Sequence, residues 1–159
     1  MKVVPTEVIS KDLIRNFFIQ HWGSPEMIIS TGIYSCDELP GYAVIDDAGK
    51  IAGLITYFFR PGECEIISLD SIEEGKGIGS SLLQAVENYA REKQAGRIIL
   101  ITTNDNLNAL RFYQKRGYRL AEIKRNAVSV ARRLKPEIPM TGNDGIPIRD
   151  EIVLEKLLV

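Results

Sequence analysis

The chain has 159 residues, of which 45% are hydrophobic and 26% charged, and a formal net charge of −1. This composition predicts a single globular domain spanning 1–159, and it offers no electrostatic basis for binding nucleic acid or an anionic membrane. Two cysteines and one histidine argue against a disulfide framework and a histidine-based metal site, so no metal is expected. No apolar run of membrane-spanning length and no leader pattern is visible, which predicts a cytoplasmic protein.

The first quarter of the chain predicts an edge strand at Val3–Val4 and then a helix. Ser10 is a suitable N-cap, and Gly23–Pro25 should end the helix because glycine and proline both stop helices. His21 and Trp22 close it. For both residues we favour packing at the end of the helix, with a place in a substrate pocket as the alternative for His21.

The middle of the chain predicts an antiparallel meander. An apolar stretch, 27–34, is expected to be a strand or extended segment. Strands are then predicted at 42–46 and 51–59, joined by Asp46–Lys50, which is a strong hairpin signal. A further strand, 63–70, follows the turn at Arg60–Gly62.

A glycine-rich loop follows this strand and opens a helix. The loop reads Gly75-Lys76-Gly77-Ile78-Gly79, and the helix is predicted to run to about Gln94, with Gly96 as its stop. Glycines allow close backbone approach, and first-turn amides favour a phosphate or pyrophosphate. The P-loop pattern is absent, and Ser80 stands where a dinucleotide fingerprint needs its third glycine. A nicotinamide-cofactor domain is therefore the weakest alternative.

The last third predicts a buried strand at 97–103, parallel to the strand before the loop. Asn104–Asn106 offers N-caps for the next helix, and Gly117 suits its C-terminus. A strand at 118–123 follows. The segment 126–150, with a short helix at 127–134, is long enough to suggest a functional connection, and 151–158 predicts a closing strand.

Two motifs in the right order resemble those of the GNAT N-acetyltransferases. The pyrophosphate motif of that family, Q/R-x-x-G-x-G/A, falls on Glu74, Gly77 and Gly79. The second signature, N-x-x-A-x-x-F/L-Y-x-x-x-G-F/Y, falls on Asn106–Tyr118. The resemblance covers roughly 42–124. It implies an α+β, three-layer fold: a mixed, mostly antiparallel sheet of six to seven strands flanked by helices, with a central parallel pair splayed at the cofactor.

The resemblance also implies acetyl-CoA as cofactor and assigns residues to it. The pantetheine arm would lie along the strand before the loop, and the loop amides would hold the pyrophosphate. Tyr113 matches the tyrosine that protonates the departing thiolate, and a phenol can do so because its pKa lies near that of a thiol. The cofactor-binding set is Ile67, Ser68, Leu69, Glu74, Gly75, Lys76, Gly77, Ile78, Gly79, Ser80, Asn104, Asn106 and Tyr113.

The base that deprotonates the acceptor amine has three candidate carboxylates. Family members often keep a carboxylate on the strand before the loop, where this chain has Glu63 and Glu65. We favour Glu65, which shares a strand face with Ile67 and Leu69. Asp70, at the end of the strand, is a third candidate.

One residue departs from the family pattern. Glu74 stands where the family has Gln or Arg, and a carboxylate there should weaken pyrophosphate binding unless Lys76 offsets it.

Two functions of different classes remain. The first is acetyl transfer to a primary amine of a small molecule or protein, by direct attack in a ternary complex. The second is a CoA-binding regulatory or interaction module that has lost turnover. A homodimer is compatible with either.

Overall fold

The computed structural model describes residues 2–73 and 75–158, which form nine strands, four α-helices and three short 3-10 turns. In chain order the strands and α-helices are β1 (Lys2–Pro5), α1 (Lys11–Trp22), β2 (Glu26–Ile29), β3 (Gly32–Ser35), β4 (Gly41–Ile45), β5 (Ile51–Arg60), β6 (Glu63–Ser71), α2 (Ile78–Glu92), β7 (Arg97–Thr103), α3 (Leu107–Gln114), β8 (Arg119–Lys124), α4 (Ala127–Leu134) and β9 (Glu151–Leu157).

The described residues divide into two compact units. The N-terminal unit contains 2–27, 34–98 apart from residue 74, and residue 158. Its strands pair antiparallel in the order β1-β4-β5-β6. The predicted hairpin is confirmed, because Asp46 Oδ1 accepts hydrogen bonds of 2.9 Å from the amides of Ala48 and Lys50.

Helix α1 has the boundaries that the sequence predicts. Ser10 is its N-cap residue, and Gly23 ends it in the left-handed region with φ 83°. Ile14, Phe17 and Phe18 are buried, which gives the helix the expected apolar face.

Helix α2 packs on the strands of the N-terminal unit through Leu82, Leu83, Val86 and Ala90, all at most 2% exposed. Gly53 on β5 permits this close packing, since a β-carbon there would overlap Ile78 Cγ2 in the first helical turn. The position of the start of α2 therefore depends on a glycine in another element.

Two boundaries differ from the predictions. The stretch 27–34 is not one strand, because β2 and β3 are separate. Helix α2 ends at Glu92 rather than at about Gln94. Gln94, rather than the predicted Gly96, stops the helix, with a left-handed φ of 60°. A non-glycine residue can adopt this conformation at a modest energetic cost.

The second unit contains 28–33 and 99–157. Its strands have the order β7-β9-β8, with β8 and β9 antiparallel. The N-cap of α3 is Asn106, whose Oδ1 accepts a 3.1 Å hydrogen bond from the Ala109 amide. This confirms the predicted capping.

The segment 126–150 is held to its own unit by side chains before α3. Asn104 Nδ2 donates to the Pro147 carbonyl, and its Oδ1 accepts from the Arg149 and Asp150 amides, at 2.9–3.0 Å. Asp105, only 4% exposed, accepts two hydrogen bonds from Asn143. These bonds explain how a long segment with little regular structure is ordered.

The seven strands of the two ordered series and the four helices agree with the predicted α+β class. The single domain spanning 1–159 and the splayed parallel pair remain predictions.

Candidate active site

The glycine loop opens α2 in a conformation suited to an anion. Gly75 and Gly77 both have left-handed φ angles, 79° and 73°, and Gly77 is the N-cap residue. The Ser81 amide makes a 3.0 Å bond to the Gly77 carbonyl, so the amides of Ile78 and Gly79 precede the first intrahelical bond. A β-carbon at Gly75 or Gly77 would meet no atom of residues 2–73 and 75–158 within 4 Å. The space beside the loop is therefore open to a phosphate, which the helix dipole favours.

The charged residue within the loop is already paired. Lys76 Nζ lies 2.9 Å from Glu73 Oε2, and this hydrogen bond raises the pKa of the exposed Lys76. Glu74 lies outside the described residues, so its predicted effect on pyrophosphate binding remains a prediction.

The predicted pantetheine segment lies in the middle of β6. Ile67 and Ser68 are buried, and Ser68 Oγ is 2.5 Å from Thr56 Oγ1 on β5. Leu69 is the register partner of Ile55. Since the Ser68 hydroxyl is already hydrogen-bonded to Thr56, a contact with pantetheine here would use backbone groups, as strand addition does.

Both glutamates predicted as bases pair with arginines. Glu65 is fully buried, and its Oε1 lies 2.7 Å from Arg60 Nη1. Glu63 accepts hydrogen bonds of 3.0 and 2.8 Å from Arg97 and one of 3.4 Å from Arg60. Their catalytic role remains a prediction, and these contacts give both carboxylates a structural function as well.

Asp70 has different surroundings at the end of β6. Its Oδ1 accepts a 3.1 Å hydrogen bond from Trp22 Nε1 on α1. Burial raises the pKa of the Asp70 carboxyl, while the Trp22 hydrogen bond and the nearby His21 act in the opposite direction. The sequence carries no signal for this contact, because the two residues are 48 positions apart.

The second unit contains the other predicted site residues. Tyr113 on α3 is 6% exposed, and its ring makes edge contacts with Phe112 and Tyr118 at centroid distances of 5.1 and 5.4 Å. Asn106 Oδ1 caps α3, and the Asn104 amide binds the end of the 126–150 segment. The cofactor contacts of these three residues remain predictions. Sequence reasoning missed that Asn104 and Asp105 hold this segment.

The structure thus brings the loop, the β6 segment and all three candidate carboxylates into the N-terminal unit, and Asn104, Asn106 and Tyr113 into the second. Comparison with known proteins shows that the Acetyltransferase (GNAT) family matches residues 9–118. The chain belongs to the GNAT family. Membership makes it an N-acetyltransferase that depends on acetyl-CoA, as the two motifs imply.

The similarity to known proteins covers nearly the full length of this GNAT chain. It is 56% identical over 158 residues to the uncharacterized protein YxbD of Bacillus subtilis, covering 99% of each chain. An acetyltransferase of Bacillus subtilis solved in complex with CoA is 19% identical, with a TM-score of 0.70 over 99% of each chain. A GNAT family acetyltransferase of Elizabethkingia anophelis with acetyl-CoA bound is 21% identical, with a TM-score of 0.68 over 98% of this chain and 97% of that one. The two solved structures confirm the predicted fold.

Residues 2–73 and 75–158 contain neither a metal-binding cluster nor a membrane-spanning helix. Within these ranges, no group of three or more His, Cys, Asp or Glu residues is placed to hold a metal ion. In the same part of the GNAT chain, no helix has both the length and the apolar character needed to cross a bilayer.

Proposed function

We propose that this GNAT chain transfers the acetyl group of acetyl-CoA directly to a primary amine of a small molecule or protein, within a ternary complex. The observation that carries the proposal is the start of α2, where Gly77 caps the helix in the left-handed conformation beside open space. The amides of Ile78 and Gly79 would hold the pyrophosphate there.

Acetyl-CoA supplies a thioester carbonyl to the amine. The backbone of Ile67–Leu69 would position the pantetheine arm by hydrogen bonds, so that diffusion of the two reactants is replaced by a fixed approach. Tyr113 would deliver a proton to the sulfur as the C–S bond breaks, because a free thiolate is a poorer leaving group than a thiol. The tyrosine regains its proton from the newly acetylated nitrogen through solvent.

The cysteines support direct transfer over a route through an acetylated cysteine. Cys36 and Cys64 are both fully buried. Burial, with Glu65 as a second cause, raises the pKa of the Cys64 thiol to about 12. Since the thiolate is the nucleophilic form, Cys64 is inert near neutral pH.

The arginine contacts of Glu63 and Glu65 favour a second candidate function. If neither carboxylate accepts a proton, a chain without another base would bind acetyl-CoA and turn over slowly. This describes the CoA-binding regulatory module.

Calorimetric titration with acetyl-CoA, followed by thiol release with a panel of primary amines, separates the two functions. We expect binding and amine-dependent release of CoA. Gly77→Asp should abolish binding, since it places a charged side chain in the phosphate space. Gly49→Asp is the matched control, because Gly49 has the same kind of φ angle, 80°, and an equally open position in the hairpin turn.

The outcomes are distinct. Binding without release, unchanged by Tyr113→Phe, identifies the regulatory module. Binding that survives in Gly77→Asp contradicts the assignment of the loop.

A further inference from the structure

A cavity of about 370 Å³ lies beside the end of β6, within the N-terminal unit. This volume suits a small ligand. The cavity combines aromatic walls from α1 with one carboxylate. Its lining residues are Phe17, His21, Trp22, Asp70, Ser71 and Ile72.

The carboxylate in this cavity has one oxygen in use and one without a partner. Asp70 Oδ1 accepts the hydrogen bond from Trp22, and Oδ2 is buried with no hydrogen-bond partner among residues 2–73 and 75–158. Buried polar atoms are nearly always hydrogen-bonded, so an unpaired acceptor on a residue that lines a cavity is a place where a ligand donor would be stabilised.

Two of the lining side chains, Phe17 and Trp22, are aromatic and suit a cationic donor. The rings of Phe17 and His21 have centroids 4.4 Å apart, and the Trp22 ring lies 5.0 Å from that of Phe18. Aromatic faces attract ammonium groups, and a carboxylate forms stronger hydrogen bonds with a charged donor than with a neutral one. The apolar surface of Phe17 and Ile72 suits a hydrocarbon carrier.

We propose that this cavity is the acceptor subsite, an inference that rests on the proposed function. The subsite takes a primary ammonium group on a small, partly apolar carrier. Asp70 accepts the proton that the ammonium must lose. Asp70 follows Leu69 of the predicted pantetheine segment directly, and it precedes the glycine loop on the same strand connection.

The proton and electron balance is complete. An N–H bond of the ammonium breaks, the proton moves to Asp70, and the electron pair stays on nitrogen. That pair forms the N–C bond to the acetyl carbon while the C–S bond breaks and leaves its pair on sulfur. The sulfur takes a proton from Tyr113, which recovers one from the acetylated nitrogen, and Asp70 releases its own proton to water.

The surroundings of Asp70 suit this role better than those of Glu65. Burial raises the pKa of Asp70, which makes its carboxylate a stronger base than an exposed one. The facing titratable group is His21 on α1, and the register partner on β5, Leu54, is apolar. Glu65, in contrast, is paired with Arg60.

Trp22 makes the proposal testable without turnover, because it is the sole tryptophan of the chain. Its fluorescence is recorded during titration with n-butylammonium chloride, and with n-butanol as the neutral counterpart, in the presence and absence of acetyl-CoA. We expect a saturable change in fluorescence with n-butylammonium and none with n-butanol. In Asp70→Asn this ammonium affinity should fall about tenfold or more, and in the matched control Asp47→Asn, an exposed turn residue, it should not change.

Equal responses to n-butylammonium and n-butanol, or an ammonium response that survives in Asp70→Asn, would overturn the subsite. Because calorimetry measures acetyl-CoA binding separately, retained acetyl-CoA binding with a failed ammonium test refutes the subsite alone. Failed acetyl-CoA binding refutes the proposed function.

Turnover tests the proton transfer. Asp70→Asn should bind acetyl-CoA as the unmodified chain does. Its kcat should fall about 100-fold, and the acidic limb of its pH profile of kcat/KM should disappear. His21→Gln should keep that limb, which separates the role of Asp70 from that of His21. An Asp70→Asn enzyme with normal kcat and an unchanged acidic limb would refute Asp70 as the proton acceptor.

Discussion

Arg60 Nη1 lies 2.7 Å from Glu65 Oε1 on the neighbouring strand, and Glu65 is fully buried. We predict that Glu65→Gln lowers the free energy of unfolding by about 2–4 kcal/mol, because it leaves the Arg60 charge without its buried partner. Chemical denaturation measures the change. Glu137→Gln, at an exposed position, should change stability by less than about 0.5 kcal/mol.

The same variant separates structure from catalysis. We expect kcat of folded Glu65→Gln to fall less than about tenfold, well short of the loss typical of a missing general base. A loss of about 100-fold with unchanged stability would instead make Glu65 the base, as the resemblance to GNAT enzymes implies.

The packing of Gly53 against Ile78 predicts a second effect at a distance from the loop. Gly53→Ala should destabilise the protein by about 1–3 kcal/mol and weaken acetyl-CoA binding, because its β-carbon displaces the first turn of α2. Gly96→Ala is the matched control, since its β-carbon would meet the Gly62 carbonyl at an ordinary 3.5 Å and no other atom of the described part of the chain within 4 Å. Calorimetry and thermal unfolding report the two effects. Normal binding by Gly53→Ala would show that the loop does not depend on this contact.

Tyr113→Phe tests the general acid. The ring is buried among Phe112 and Tyr118, so removal of the hydroxyl should preserve the packing. We expect a loss of about 100-fold in kcat with little change in acetyl-CoA affinity. Tyr42→Phe removes a hydroxyl from β4 and should leave kcat unchanged. Equal losses in kcat and affinity would make Tyr113 a binding or packing residue.

Asp70→Asn should increase stability at neutral pH. Burial raises the pKa of this carboxyl in the folded chain above its ordinary value of 3.8. The folded chain therefore binds the proton more tightly than the unfolded chain. The stability of the unmodified protein falls as the pH rises from about 3.8 through the folded pKa, and it stays lower above that.

The asparagine variant lacks this penalty. At pH 7 its Tm should be higher than that of the unmodified chain. The difference should shrink as the pH falls toward 3.8. Thermal unfolding across this range, with Asp47→Asn as control, measures it. A lower Tm at pH 7 would show that the carboxylate stabilises the fold.

Local chemistry made several elements predictable from sequence. Ser10 and Gly23 mark the two ends of α1, as expected. Asp46 closes the hairpin and Asn106 caps α3, also as expected. Each of these signals depends on the conformational preference or hydrogen bonding of a residue with its near neighbours. The end of α2 was missed because Gln94 adopts a conformation that glycine usually takes.

The candidate site divides in the same way. The amino-acid sequence by itself determined the glycine loop, the second motif and hence the GNAT family, because these depend on residue type at fixed spacing. Tertiary structure alone decided that Glu65 pairs with Arg60, that Asn104 holds the 126–150 segment, and that Trp22 reaches Asp70. The partners in two of these contacts are more than 40 positions apart, and which carboxylate is paired and which is left in a cavity depends on how the elements pack rather than on any local preference.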